Sequence, residues 1–377
     1  MKEQTVLILD PRGNITSGGS DVIKRHVLYA NTLAKRGRDK NLKLKVFSAS
    51  FSVYPKNKTG TLDLKSISKP TFNSYKYAWR SAKIIKAQRI DVRLLIAGDP
   101  WESYWSAYFL NKFLTSEIPI QIQVHGDITN PLWKKISLKN RLRFWLARKS
   151  LRRGAVIRCV SNMQKSNLIS AFDLDKSKID VVPVPIVPTN KFLALPKRPR
   201  TIGFIGRIHK DRGIWKFVDL IESLNTRDSN FKVLIAGDGP ERDKFISELE
   251  NVMQKNRIEY FGQISQGKLR STWKSIGVLV SMAPVESYGR VMRESLIAGV
   301  PVWAIASTGV KDLMDNCKKG EVKLLDLSKG ASSLDKEFRS LLKTKVSSDF
   351  SKRFIEENNT YSAKLADSWI NIINKAI

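Results

Sequence analysis

Short, continuous apolar runs recur along this chain, each followed by a stretch of helical spacing, and the whole series runs twice. In the first half the runs are VLILD at 6–10, LKVFSAS at 44–50, VRLLIAG at 92–98, PIQIQVHG at 119–126, AVIRCVS at 155–161 and IDVVPVP at 179–185, with a helix expected from about Asp21 to Lys35. Strands apolar on both faces and separated by helices belong to a parallel sheet covered on both sides. The Pro-rich, basic stretch IVPTNKFLALPKRPR then reads as a linker. A second series follows at once: TIGFIGR, the helix WKFVDLIESL, FKVLIAGDG, IEYFGQ, VLVSMAP, PVWAIA and VKLLDL. The expected fold is α/β, two doubly wound Rossmann-like domains over 1–187 and 188–361, facing across a cleft with ligands at the carboxyl ends of the strands.

A length of 377 residues, more than one typical core, agrees with two domains. The two cysteines, Cys159 and Cys317, lie far apart with no CxxC or Cys/His spacing, so neither a disulfide framework nor a zinc site is indicated. The N-terminal MKEQTVLILD runs straight into a strand, and no apolar stretch approaches the roughly 20 residues of a spanning helix. A cytoplasmic protein is therefore expected, peripheral at most on the inner face of a membrane.

The net charge is +31, and it is uneven. Residues 1–190 hold 34 Lys/Arg against 13 Asp/Glu, and residues 191–377 hold 32 against 22. The densest part, residues 132–153, has nine basic and no acidic side chains, with Leu138, Leu142, Trp145 and Leu146 on one helical face. Such a helix suits an anionic membrane surface. It equally allows an apolar stripe packed into its own domain beneath a solvated basic face. Charge alone asks for an acidic partner without choosing it.

The segment APVESYGRVMRESLIAGVPVWAI carries the strongest functional signal. Val291, Met292, Ser295, Leu296 and Ala298 recur at helical spacing, and Gly299 and Pro301 supply the stop. Glu286 is then expected just before the helix and Glu294 about two turns inside it, roughly 12 Å away by helix rise. The amides near Tyr288 and Gly289 would form an anion cradle between the acids. Phosphate at the amides, with sugar hydroxyls donating to the carboxylates on either side, matches a nucleotide sugar. A surface helix with two solvated glutamates fits the same residues.

Arg207 ends the strand TIGFIGR and Arg212 comes five residues on; they make either a charged fork suited to a diphosphate, with Gly213 allowing close backbone approach, or an exposed basic turn. Gly237 and Gly239 read as chain punctuation. Gly18 and Gly19 end a polar loop after the first strand and could set amides against a phosphate or acceptor. His125 ends the strand PIQIQVHGD, where it is either a cleft residue or a hydrogen-bonded packing residue. Asp99 and Glu102 either line the same rim or cap the helix after them.

GFIGRIHKDRG, VLIAGDGP, IEYFGQIS, ESYGRVMRE with SLIAGVPVWA, and in the first half SGGSD, VHGD and RCVS, occur in the order seen in glycosyltransferase family 4, which the chain resembles. The resemblance is specific over about 201–315 and looser before that. It implies a retaining GT-B enzyme that needs no metal and no cofactor, moving a sugar from a UDP- or GDP-linked donor to a glycan or lipid-linked acceptor hydroxyl in cell-surface polysaccharide or glycolipid synthesis. It further implies Glu294 on the ribose, Glu286 by the donor sugar hydroxyls, Arg207, Arg212 and the Tyr288 and Gly289 amides on the diphosphate, His125 near the donor sugar, and Gly18 and Gly19 as the glycine loop. The family's C-terminal helix, packing back on the first domain, would be about 362–377. Arg212 stands where Lys is usual, Tyr288 where Phe is common, Arg290 where a small apolar residue is usual and Asp21 where Glu is common. A basic nucleic-acid-binding protein and a GT-B epimerase or phosphorylase are the rival readings. Nucleic acid is disfavoured because no recognition helix, zinc finger or aromatic RNP strand is present, and an NAD enzyme because no strand runs into GxGxxG.

Overall fold

The computed structural model describes residues 2–17, 19–50, 58–59, 61–186, 198–225 and 230–376. Contacts divide the chain into unit 1, Met1–Pro185 with Asn359–Ile377, and unit 2, Ile186–Asn358. Most of the expected linker, residues 187–197, lies outside the described residues.

Unit 1 is built on strands β1 (Gln4–Asp10), β2 (Leu42–Ala49), β3 (Lys58–Thr59), β4 (Leu62–Ser68), β5 (Asp91–Ala97), β6 (Ile120–Gln123), β7 (Val156–Cys159) and β8 (Ile179–Val181), in the order β3-β4-β2-β1-β5-β6-β7-β8. Every pairing is parallel except the two-residue β3, which runs antiparallel to β4. The β1 run Thr5–Asp10 is buried throughout, as a strand covered on both faces must be. One face packs Leu7, Leu9, Leu95 and Ile122 against helices 74–87 and 102–114. The other packs Val6, Ile8, Leu44 and Ile96 against helix Gly19–Arg36 and against Leu365, Trp369 and Ile373 of the C-terminal helix Ser348–Lys375. Gln121 fixes that last helix to β6: it accepts from Trp369 Nε1 at 2.8 Å and donates to Ser368 Oγ at 3.0 Å.

Two sequence expectations change here. The strand β4 was not anticipated, because LDLKSIS alternates apolar with charged residues. The basic stretch 132–153 is not one helix but two, Pro131–Lys135 and Leu138–Arg153, divided at Ser137, whose hydroxyl caps the second by accepting from the Asn140 amide at 3.1 Å.

Unit 2 carries β9 (Thr201–Ile205), β10 (Lys232–Ala236), β11 (Ile258–Tyr260), β12 (Val278–Ser281), β13 (Val302–Ala304) and β14 (Val322–Leu324), all parallel, in the order β11-β10-β9-β12-β13-β14. This is the dinucleotide-fold order, with its reversal between β9 and β12. Trp303, Phe217, Phe245 and Leu249 are fully buried in its core. Each such apolar side chain is worth about 1.5–3 kcal/mol of burial. Among the described residues, no helix is long and apolar enough to cross a membrane.

Candidate functional site

Because the strand order of unit 2 reverses between β9 and β12, the carboxyl ends of those two strands border the place where a doubly wound sheet takes its ligand. The loop after β9 carries Arg207, exposed and paired with the Asp211 carboxylate at 2.7 Å, and Arg212, whose Nη1 donates to Glu286 Oε2 at 2.9 Å. Glu286 belongs to the loop after β12, so this ion pair ties the two strand ends together. Gly213 makes the approach possible: its φ is +68°, and a Cβ there would stand 2.1 Å from the Met282 carbonyl oxygen. The close backbone contact expected of Gly213 is thus with the β12 loop of the protein itself.

The other oxygen of Glu286 accepts from the amides of Tyr288 at 3.3 Å and Gly289 at 3.1 Å. Three donors therefore converge on one carboxylate. The sequence reading gave the same amides and Arg212 to a phosphate and left Glu286 beside them. In the structure the nearest anion, the chain's own carboxylate, sits on these donors at the entrance to helix Arg290–Ile297. Gly309, which sequence reasoning passed over, supports this turn from below. Its amide donates to the Glu286 carbonyl at 2.6 Å, and a Cβ on it would lie 2.8 Å from the Tyr288 nitrogen and 3.0 Å from the Gly289 nitrogen. The available signal was the Ser307-Thr308-Gly309 run after β13, with Ser307 capping helix Thr308–Asn316.

The helix begins only at Arg290, with Gly289 as its cap, so Glu294 lies little more than one turn inside it and not two. Glu294 is 2 % exposed and accepts from Arg290 Nε at 3.0 Å. The unusual Arg290 is thus the partner of the acid expected to hold ribose. Beside it, the buried Arg293 donates to Asp312 at 2.6 Å and lays its guanidinium 3.8 Å from the centre of the Tyr288 ring, which fixes the buried Tyr288 from one side. Removing either member of this pair costs about 3–5 kcal/mol, since the other is left as an uncompensated buried charge. Nineteen residues separate the two, so no local spacing announced them.

In unit 1 the loop after β1 is pinned by Asp10, whose carboxylate accepts from the Asn14 and Ile15 amides at 3.0 and 2.8 Å and from Ser48 Oγ at 2.7 Å. Burial pushes the Asp10 carboxyl up from its ordinary pKa against the pull of these bonds. Gly18 lies outside the described residues; Gly19 opens helix Gly19–Arg36. His125, after β6, is exposed, and its Nε2 faces Gln123 Oε1 at 3.0 Å. Loss of hydration, then the guanidinium charges of Arg158 and Arg25, pull its pKa down to about 3. The ring is open at contact distance yet crowded at longer range, and the two guanidiniums push in the same direction, so the imidazole is neutral at pH 7. His26 is likewise held down at about 4, by burial despite its 2.7 Å contact with the Val22 carbonyl. Asp99 and Glu102 are structural. Asp99 accepts from the Trp101 and Ser103 amides and from Ser103 Oγ, and Glu102 pairs with Arg143 at 2.6 Å. Among the described residues no group of His, Cys, Asp or Glu is arranged to hold a metal ion.

Two doubly wound units, the second with ion-paired arginines and glutamates at its switch point, define the GT-B class. Residues 27–190 match the family described as Glycosyltransferase Family 4, and residues 189–360 match Glycosyl transferases group 1. The chain belongs to glycosyltransferase family 4. It is 25 % identical over 224 residues to a 2-deoxystreptamine glucosyltransferase of Streptomyces kanamyceticus, covering 55 % of this chain and 57 % of that protein. It is 24 % identical over 160 residues to the phosphatidylinositol N-acetylglucosaminyltransferase gpi3 subunit of Schizosaccharomyces pombe, covering 41 % of this chain and 35 % of that one. The chain thus spans about half the length, or less, of these curated relatives. Anabaena HepE, crystallised with UDP and glucose, shares the fold at a TM-score of 0.69 and 16 % identity, covering 98 % of this chain and all of HepE.

Proposed function

We propose that this chain transfers a sugar from a nucleoside diphosphate sugar, UDP- or GDP-linked, to the hydroxyl of a glycan or lipid-linked acceptor, with retention at the anomeric carbon and without a metal ion. The observation that carries the reading is the convergence of Arg212 and the Tyr288 and Gly289 amides on Glu286 at the switch point of unit 2. It is an anion-binding place with a hydrogen-bond acceptor already oriented in it. When a donor enters, its sugar hydroxyls donate to Glu286, and Arg212, with Arg207 swung from Asp211, faces the diphosphate. Glu294, charge-balanced by Arg290, accepts from the ribose hydroxyls.

Breaking the anomeric C–O bond leaves its electron pair on the diphosphate, and the guanidiniums and helix amides stabilise that charge as it develops. The departing phosphate oxygen takes the proton of the acceptor hydroxyl as the new bond forms on the same face. His125, neutral at pH 7, serves as a hydrogen-bonding group for hydroxyls on the acceptor-side unit and does not compete as a cation. The comparisons support the class: relatives named as glycosyltransferases, and a neighbour in fold crystallised with UDP.

A thermal-shift screen of nucleotides and nucleotide sugars tests the donor, since a ligand of the native state raises the melting temperature. A flat response to every nucleotide sinks the proposal. Turnover undiminished in excess chelator is the expected result for the metal-independent step, and turnover that returns only with added divalent ions refutes it.

A further inference from the structure

Leu138, Leu142 and Trp145 stand at i, i+4 and i+7 on helix Leu138–Arg153, and they are 78, 61 and 63 % exposed. The face opposite, Ala147, Ser150 and Leu151, is the buried one. The apolar stripe thus points to water while small residues hold the helix on unit 1, as Ser150 Oγ does by donating to the Pro100 carbonyl at 2.6 Å. A second exposed group adjoins it. Phe72 lies under the Lys139 ammonium at 3.7 Å, and Tyr75 and Trp79 follow it one turn apart on helix Ser74–Ala87. Arg12 approaches the same Phe72 ring at 5.5 Å, and Lys83 covers Trp79 at 3.7 Å. Phe72 thus adjoins the start of helix Leu138–Arg153 through Lys139, and ammonium and guanidinium groups lie over the exposed rings of Phe72 and Trp79.

The sheet topology says where this face lies. Arg12 follows β1, Phe72 follows β4, and residues 131–138 follow β6, and the three strands are parallel members of one sheet, so all three segments leave it at its carboxyl edge. That is also the edge from which His125 and Gly19 emerge.

From this face we infer that unit 1 docks on an anionic lipid bilayer, with Leu138, Leu142, Trp145 and Phe72 in the headgroup layer and the surrounding lysines and arginines on lipid phosphates. The occupant follows from charge and shape. Residues 132–153 hold nine cations and no acid, so a second copy of the chain would bring the same charge against itself. Leu138 and Leu142 offer nothing for a nucleic-acid base to stack on, whereas aliphatic side chains among Trp, Phe and Lys suit a membrane interface, and among the described residues no helix is long and apolar enough to cross one. With the transfer reaction proposed above, on which this part rests, the face puts the acceptor edge of unit 1 against the bilayer, so the acceptor is a lipid or lipid-linked glycan of that leaflet.

The test is co-sedimentation of the full chain with vesicles of phosphatidylcholine alone or with about one third phosphatidylglycerol, with UDP-induced thermal shifts measured on the same samples. Binding to the anionic vesicles should be at least ~10-fold stronger and should fall steeply with added salt. Leu142→Glu with Trp145→Glu should lose ~10-fold or more of it while the melting temperature and UDP shift stay unchanged. Arg141→Glu with Lys149→Glu provides the same readout through charge alone. Equal binding to both vesicle types, or anionic binding untouched by both pairs of changes, overturns the inference. So does tighter binding to a single-stranded oligonucleotide than to vesicles, which would give the face to nucleic acid. Vesicle binding with no thermal shift from UDP, and none from GDP in the same assay, upholds the lipid face and removes the proposed reaction instead.

Discussion

The two sheets share a strand order and differ in what they place at their carboxyl edges. In unit 2 the edge is charged and internally satisfied: Arg207 with Asp211, Arg212 with Glu286, Arg290 with Glu294 and Arg293 with Asp312. In unit 1 the edge holds a neutral histidine and, beside it, aromatic and aliphatic side chains left in water. One topology therefore supports two kinds of recognition. Fixed charges suit a small, rigid, multiply charged ligand, and an amphipathic surface suits something larger and softer. The sorting is done by residues beyond the strand ends, because the central strands β1 and β9 are mostly buried and apolar in both units.

The largest effect that separates the edges is expected from Glu286→Ala, which should cut kcat about 10²–10³-fold with a smaller change in nucleotide affinity, measured by steady-state kinetics and calorimetry. Wild-type turnover in this variant would remove the donor role from unit 2. Glu294→Ala should act the other way, weakening UDP or GDP about 10–100-fold, as expected for losing hydrogen bonds to a charged acceptor, while leaving vesicle binding unchanged. Gly309→Ala sharpens the comparison further. Its Cβ must displace the Tyr288–Gly289 backbone, and about 1 kcal/mol, or roughly fivefold in nucleotide affinity, is expected with no change at the unit 1 edge.

The smallest effect concerns pH. His26 and His125 have native pKa values of about 4 and about 3 against 6.5 when unfolded, so between 6.5 and 4 the unfolded chain takes up protons that the native one refuses. These two residues therefore lower stability as pH falls through that window. A plot of melting temperature against pH should be shallower for His26→Asn and His125→Asn than for the parent, and identical slopes would mean that neither ring is held neutral.

Much of the architecture was legible because buried parallel strands leave continuous apolar runs. β4 was not, since Asp63 and Lys65 interrupt Leu62 and Leu64 in a strand only half-buried along most of its length. At the site, the types and order of residues were readable, and their pairing was not. Arg290 and Glu294 sit at the i, i+4 spacing that favours an ion pair, yet the sequence points Glu294 to a ligand and marks Arg290 only as a departure from the family pattern. Glu286 is expected beside these amides and in fact accepts from them, because a carboxylate three residues ahead of the helix cap reaches the intervening amides more readily than any solute. Arg293 with Asp312, and Gly309 against Tyr288, arise from elements adjacent only in the folded sheet, which a linear pattern does not encode.

The C-terminal helix has a consequence for the order of events at the ribosome. Leu365, Trp369 and Ile373 complete a core that begins at Val6 and Ile8, so the first domain to emerge is the last to close. While residues 186–358 are being translated, roughly ten seconds to half a minute at ordinary elongation rates, that core stands open along one face. A nascent chain of this design has a built-in interval of vulnerability to aggregation, and a stop codon ahead of Asn359 would make that interval permanent.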